Sequence, residues 1–207
     1  VSLAGETLLV TGYPGFHARK LASYLLTAEP EVELVLLRRA SDSERSAEFL
    51  SRLEATERAR VRELTGDPSA LDFGLSGAQY RELAGSVQRV FHFASVLEAK
   101  RRTEAAAHNI ACGREVLEFA RAARGLRGLV LLSSVTVCGT RTGPILEDEL
   151  SRGQAFRRRL DESLATVELM CSRLGSVPQI VLRPGQIVGD SLTGEIDSPG
   201  FPYPWLA

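Results

Sequence analysis

Short apolar runs alternate along this chain with longer amphipathic stretches. The runs cover 7–11, 32–37, 61–64, 87–93, 129–133 and 179–182, and are built mostly of Val, Leu, Ile and Phe. They are continuous rather than alternating, the pattern of strands buried on both faces. Helical spacing between them predicts helices over 15–28, 42–58, 76–86, 102–124 and 151–174. In 102–124, for example, Ala106, Ile110, Val116, Leu117 and Ala120 fall on one stripe. Strand–helix alternation of this kind predicts an α/β fold, a doubly wound parallel sheet with helices on both faces. The sequence after Arg183 is rich in Gly and Pro and reads as loop. The expected organisation is one domain over 1–183, followed over 184–207 by the entry into a second, C-terminal lobe that is absent or truncated.

Composition narrows the function classes. With 207 residues, 44% hydrophobic and 25% charged, the chain is long enough for one domain with a full core. A net charge of -1 gives no reason to expect nucleic acid or an anionic membrane as partner. No apolar run approaches the roughly 20 residues of a membrane span, and no signal peptide is visible. Cys112, Cys138 and Cys171 are far apart and odd in number. They make neither a disulfide framework nor a metal site, and a reducing, cytoplasmic setting is expected.

The first strand runs into Thr11-Gly12-Tyr13-Pro14-Gly15-Phe16-His17-Ala18, and a helix follows. Gly12 allows a sharp turn off the strand. Gly15 lets backbone amides approach a pyrophosphate at the helix N-terminus, where free N–H groups and the helix dipole favour anions. Ala18 stands where a third glycine is usual, and Pro14 has no N–H to donate. Placed after a strand and before a helix, this loop predicts a Rossmann fold that holds a dinucleotide. At the end of the second strand stand Arg38 and Arg39, where an NAD site usually has a carboxylate. Arginine there pairs with a 2′-phosphate and favours NADP(H); a solvated strand end is the alternative, and Asp42 is close by.

Further segments add to the pattern: Gly66-Asp67 with Phe73-Gly74-Leu75-Ser76, Val90-Phe91-His92-Phe93-Ala94-Ser95, and Asn109-Ile110 with Gly113. Later come Leu132-Ser133-Ser134-Val135 with Val137 and Gly139, then Arg183-Pro184 through Val188-Gly189-Asp190-Ser191. Taken in order, these resemble the extended short-chain dehydrogenase/reductase family, and within it the fatty acyl-CoA reductase and thioester reductase branch. The resemblance implies that Asp67, with Pro68 beside it, lies near the adenine. It implies that Phe93, Ala94 and Ser95 line the path of the nicotinamide ribose, and that Pro184, Gly185 and Val188 pass near the nicotinamide. Asn109 would steady the active-site helix and Ser134 would hydrogen-bond a substrate carbonyl. Relatives that dimerise imply a homodimer through helices 102–124 and 151–174.

The same resemblance exposes a loss. Reductases of this family use a Tyr-x-x-x-Lys pair, in which tyrosine passes a proton and lysine holds the ribose and lowers the tyrosine pKa. Matched through Ser163 and Glu168, those positions hold Leu160 and Leu164. No other tyrosine rescues the pair, because Tyr13, Tyr24, Tyr80 and Tyr203 are followed four residues on by His17, Ala28, Ala84 and Ala207. Asp148, Glu149, Asp161 and Glu162 are nearby in sequence, without a spacing that aims them at a carbonyl. Three readings follow. The first is an NADP(H)-binding protein, catalytically impaired or silent, with a regulatory or partner-binding role. The second is a reductase of an acyl thioester or related carbonyl with a non-standard proton donor. The third is an interaction module that has lost the cofactor.

Overall fold

The computed structural model describes residues 3–96, 102–175 and 177–196. Six strands, β1 (Thr7–Thr11), β2 (Glu33–Arg38), β3 (Val61–Thr65), β4 (Arg89–His92), β5 (Gly128–Leu132) and β6 (Gln179–Leu182), form one sheet in the order β3-β2-β1-β4-β5-β6. All five pairings are parallel. The connecting helices are α1 (Phe16–Ala28), α2 (Ser43–Ser51), α3 (Ala55–Arg58), α4 (Gly77–Ser86), α5 (Arg102–Ala122) and α6 (Arg159–Ser172). This is a Rossmann-like, doubly wound fold. The strand order reverses between β1 and β4, which opens a crevice at the carboxyl ends of those strands.

Burial on both faces explains the continuous apolar runs. Leu9, Val35, Leu37, Val90, Leu129 and Leu131 face one layer, packed with Phe73, Leu83, Val116, Phe119 and Val167. Leu8, Val10, Leu34 and Leu36 face the other, packed with Ala18, Ala22, Leu25, Leu26 and Phe49. Helices α5 and α6 approach so closely that a Cβ on Gly113 would meet Val167 at 2.6 Å. The edge strand β6 departs from the pattern. Ile180 is 59% exposed and Leu182 41%, because no described element covers that face of the edge.

Two expected helices are divided or shortened. The 42–58 stretch breaks after Ser51, and Glu54 opens α3 with a capping box to Glu57. The 151–174 stretch becomes helical only at Arg159. Before it, Gly153 takes φ +75°, and the Gln154 amide donates to the Val137 and Leu150 carbonyls, tying a loop against the sheet end. Of the expected C-terminal segment 184–207, residues 197–207 lie outside the described residues. Among the described residues no helix is long and apolar enough to cross a membrane. The three cysteines are free.

Candidate functional site

A cavity of about 630 Å³ occupies the crevice above β1 and β4. Its floor is the turn from β1 into α1. Gly12 takes φ +83°, and a Cβ there would stand 2.2 Å from the Phe93 carbonyl oxygen, so only glycine lets this turn cross the end of β4. The Gly15 amide donates to the Gly12 carbonyl at 2.8 Å and closes the loop. Helix α1 then starts with no side-chain cap and no acidic residue in its first turn. Its first residues, Phe16, His17 and Ala18, all line the cavity. By contrast, Ser76 and Gln79 form a complete capping box on α4. The α1 terminus therefore presents its dipole and backbone donors to the cavity without an internal anion to answer them.

Tyr13 contributes only its near side. Its hydroxyl turns inward to Ser46 Oγ at 2.7 Å, the ring packs edge-on against Phe49, and burial pushes its pKa up to about 12. The loop is braced from outside by Arg19, whose Nε donates to the Pro14 carbonyl at 3.1 Å, and by Arg45 at 3.4 Å. Thr11 lies below the cavity rather than on it. Its hydroxyl is fully buried and bonds His92 Nδ1 at 2.8 Å, and burial drives the His92 pKa down to about 3.

The two arginines after β2 part company. Successive residues at a strand end point to opposite faces, so Arg38 turns away from the cavity and pairs with Glu63 at 3.0 Å. Arg39 lines the cavity, with Nη2 2.9 Å from His108 Nε2 and Nε 3.6 Å from Asp67. Asp67 itself is behind Pro68, which reaches the cavity wall. Partial burial of Asp67 opposes its charge, but hydrogen bonds from the Ser69 amide and hydroxyl, with Arg39 nearby, hold the carboxyl below its usual range. Arg45, Asp42 and His108 join this end of the cavity. Sequence reasoning noted Asp42 beside the two arginines but missed Arg45 and His108 as site residues.

The rest of the wall includes Phe93, Ala94, Ser95, Ser134, Pro184, Gly185 and Val188. Ser134 Oγ accepts from the Thr136 amide at 3.2 Å and sits 3.1 Å from the Thr136 hydroxyl, which also faces the cavity. Asn109 is buried and does not reach the cavity. Its side chain clasps the Val96 backbone at 2.7 and 3.0 Å and donates to Ser163 at 3.1 Å, joining α5, the exit of β4 and α6. The 184–196 segment is strapped across α1 by Lys20, 2.8 Å from Asp190 and 2.7 Å from Glu195.

Leu160 and Leu164 are each 2% exposed, and neither lines the cavity. Leu164 packs with Val137, Ala165, Leu150 and Phe156. None of the four carboxylates considered as substitute donors lines the cavity. Asp161 is held by Arg158 at 2.6 and 2.9 Å, and Glu149 by Arg141 and Arg152. Arg158, at the N-terminal boundary of α6, does reach the cavity, while its partner Asp161 does not line it. Among the described residues no group of His, Cys, Asp and Glu is arranged to hold a metal ion.

Comparison with known proteins agrees with this architecture. The family model described as male sterility protein, an NAD-binding family, matches residues 10–206. An uncharacterized protein of Schizosaccharomyces pombe is 27% identical over 210 residues, covering 98% of this chain and 20% of its own. The terminal R domain of the myxalamid PKS-NRPS biosynthetic pathway superposes with a TM-score of 0.75 at 25% identity, over 92% of this chain and 51% of its own. The reductase domain of a nonribosomal peptide synthetase from Mycobacterium tuberculosis gives 0.74 at 22% identity, over 92% and 50%. UDP-glucose-4-epimerase from Stenotrophomonas maltophila, solved with bound NAD, gives 0.67 at 19% identity, over 86% and 52%. The chain thus spans a fifth of the curated relative and about half of each solved chain. With its short-chain dehydrogenase/reductase-like, dinucleotide-binding fold, the chain belongs to the male sterility protein family.

Proposed function

We propose that this chain binds NADP(H) and is catalytically impaired or silent as a reductase, acting through cofactor occupancy or a protein partner. The observation that supports the reading is a contrast between the cavity and α6. An uncapped helix terminus and Arg39 line the cavity, while Leu160 and Leu164, read here as the positions of the proton-donating pair, are buried and do not line it. The residues fit a dinucleotide. Gly12 and Gly15 leave room at the loop, the α1 amides would meet the pyrophosphate, and Arg39 with Arg45 would meet a 2′-phosphate. Ala94, Ser95 and the 184–188 wall would border the nicotinamide, which when bound supplies hydride chemistry. Here the chain's own residues offer no charged group at the α6 positions to lower a donor's pKa. A positioned general acid is worth about 10²–10⁴ in rate, and two leucines supply none of it. A homodimer through α5 and α6 belongs to the same reading.

A second reading, reduction of an acyl thioester or related carbonyl, is favoured by Ser134, Thr136 and Arg158, which line the cavity. It also draws on the likeness to the myxalamid R domain. The deciding experiment measures thermal stability with NADPH, NADP⁺, NADH and NAD⁺, followed by a turnover assay. A ligand that binds only the native state adds about 2.7 kcal/mol at a hundredfold excess over its Kd. The expected result is a shift with the phosphorylated cofactors and no NADPH oxidation with acyl-thioester substrates. Steady oxidation would establish the second reading, and no shift with any dinucleotide would remove the cofactor from both.

A further inference from the structure

Resting on the NADP(H) reading above, we infer that His108 is a proton-linked reader of the cofactor's 2′-phosphate. Neutral, it holds Arg39 against the cavity wall; protonated, it adds a second positive charge beside Arg39. The geometry is specific. His108 projects from α5 into the same cavity that Arg39 enters from the end of β2. Its Nε2 is 2.9 Å from Arg39 Nη2, a donor–acceptor pair that requires the neutral ring. The ring also hydrogen-bonds the Ala94 backbone, at the exit of β4. Any anion that pairs with Arg39 therefore lies within a few ångströms of an ionisable imidazole.

The groups around the ring decide the sign. Arg39 faces it from the end of β2, and Asp67 stands behind that arginine from the end of β3. Arg45 and Asp42 line the same end of the cavity from the start of α2. Cys112, one turn along α5, has its Sγ 3.2 Å from Nε2, and burial pushes that thiol up to about 12, so it stays neutral. His92, below on β4, is buried and neutral. Burial first, and then the Arg39 charge, hold the His108 pKa below its ordinary value, so the free protein carries a neutral ring near pH 7. A phosphate dianion at Arg39 cancels that repulsion and raises the His108 pKa. Binding then takes up a proton, and by linkage affinity for the phosphorylated cofactor rises as pH falls from the bound-state pKa toward the free one. Each unit of difference is worth up to tenfold. NADH, without the phosphate, gains nothing from it.

The test compares Kd for NADPH and NADH at about pH 8.5 and about pH 6.5, the range over which a phosphate of second pKa ≈ 6 stays largely dianionic. The imidazole pKa of His108 is followed by NMR with and without NADP⁺. Wild type is expected to bind NADPH about five- to tenfold tighter at the lower pH. NADH should show no such gain, and the His108 pKa should rise on NADP⁺ binding. His108→Gln keeps an acceptor for Arg39 and cannot titrate. Its NADPH affinity should no longer change between the two pH values. An NADPH slope that survives in His108→Gln, an equal slope for NADH, or an unmoved imidazole pKa would overturn the inference while leaving NADP(H) binding intact. Failure to bind NADPH at either pH would remove the underlying reading as well.

Discussion

The two ends of the cavity are built on opposite terms. At the α1 end the backbone donors of the helix terminus face the cavity, since the helix has no cap and the loop contains no acid, and Arg39 beside them is met by His108 and by Asp67 at 3.6 Å. Around α6 three arginines are answered within the protein: Arg158 by Asp161, Arg183 by the buried Glu168, Arg141 by Glu149. Leucines fill the positions between them. A site for an anion has to leave polar groups unspent, because a donor already paired with a side chain gains little from a ligand. The α1 end meets that requirement, and the α6 end has settled into the interior of the protein. The sharpest way to attack this contrast is to install at Leu160 and Leu164 the tyrosine and lysine that the resemblance implies for those positions.

In Leu160→Tyr/Leu164→Lys the lysine would replace a side chain packed among Val137, Ala165, Leu150 and Phe156. A buried, unpaired amine and an oversized ring are expected to cost about 4 kcal/mol of stability. Since neither position lines the cavity, no reductase activity should appear. Urea unfolding and an NADPH-oxidation assay check both parts. Turnover in the double variant would show that α6 can reach the cavity, and the contrast would collapse.

At the other end the vulnerable element is backbone. Gly12→Ala places a Cβ against the Phe93 carbonyl in a left-handed conformation. A stability loss of about 3 kcal/mol is expected, together with loss of dinucleotide binding, because the turn itself is the floor of the site. Stability and NADPH titration on the same preparation would measure this. A variant that folds normally and still binds would show that the loop is not where the ligand sits.

Much of this was legible in the sequence, for identifiable reasons. Strands buried on both faces leave unbroken apolar runs, and Gly12 declares itself because no other residue fits that turn. Side-chain direction was not legible. Arg38 and Arg39 are equivalent on paper, and only the exact phase of the β2 end separates the one on Glu63 from the one on the cavity. His108 and Arg158 come from helices distant in sequence, where a polar residue on an amphipathic face carries no local mark of what it will meet. The helix start at 159 was hidden because 151–158 contains no proline, and its loop is fixed by tertiary bonds of Gln154. Thr11, read as part of the glycine loop, lies below the cavity, and Asn109, which the resemblance implied would steady the active-site helix, clasps the Val96 backbone behind it.

That separation of the two arginines is itself testable. Arg39→Ala should weaken NADPH about tenfold and leave NADH unchanged, the ordinary worth of one charge-assisted phosphate contact. Arg38→Ala should leave the NADPH/NADH ratio where it was. Isothermal titration of both variants decides the matter. A selectivity loss confined to Arg38→Ala would reverse the assignment of the two side chains.

The smallest effect concerns the strap over α1. Lys20→Met removes the cation that holds Asp190 and Glu195, leaving Arg19 at 3.4 Å from Glu195. These pairs are a quarter to a third exposed, so global stability should hardly change. The 184–188 wall follows directly from the same segment, and NADPH should dissociate about two- to threefold faster, measured by stopped-flow displacement. The pH behaviour of the strap differs from that of His108. Hydrogen bonding to Lys20 depresses both carboxyls below their ordinary values. The attraction is therefore fully present above the ordinary carboxylate pKa and is lost only as pH falls through the depressed values. Between about pH 6.5 and 8.5 the strap is constant, so a pH slope in NADPH affinity within that window is not expected to come from the strap. A slope that disappears in Lys20→Met would instead trace it to the strap.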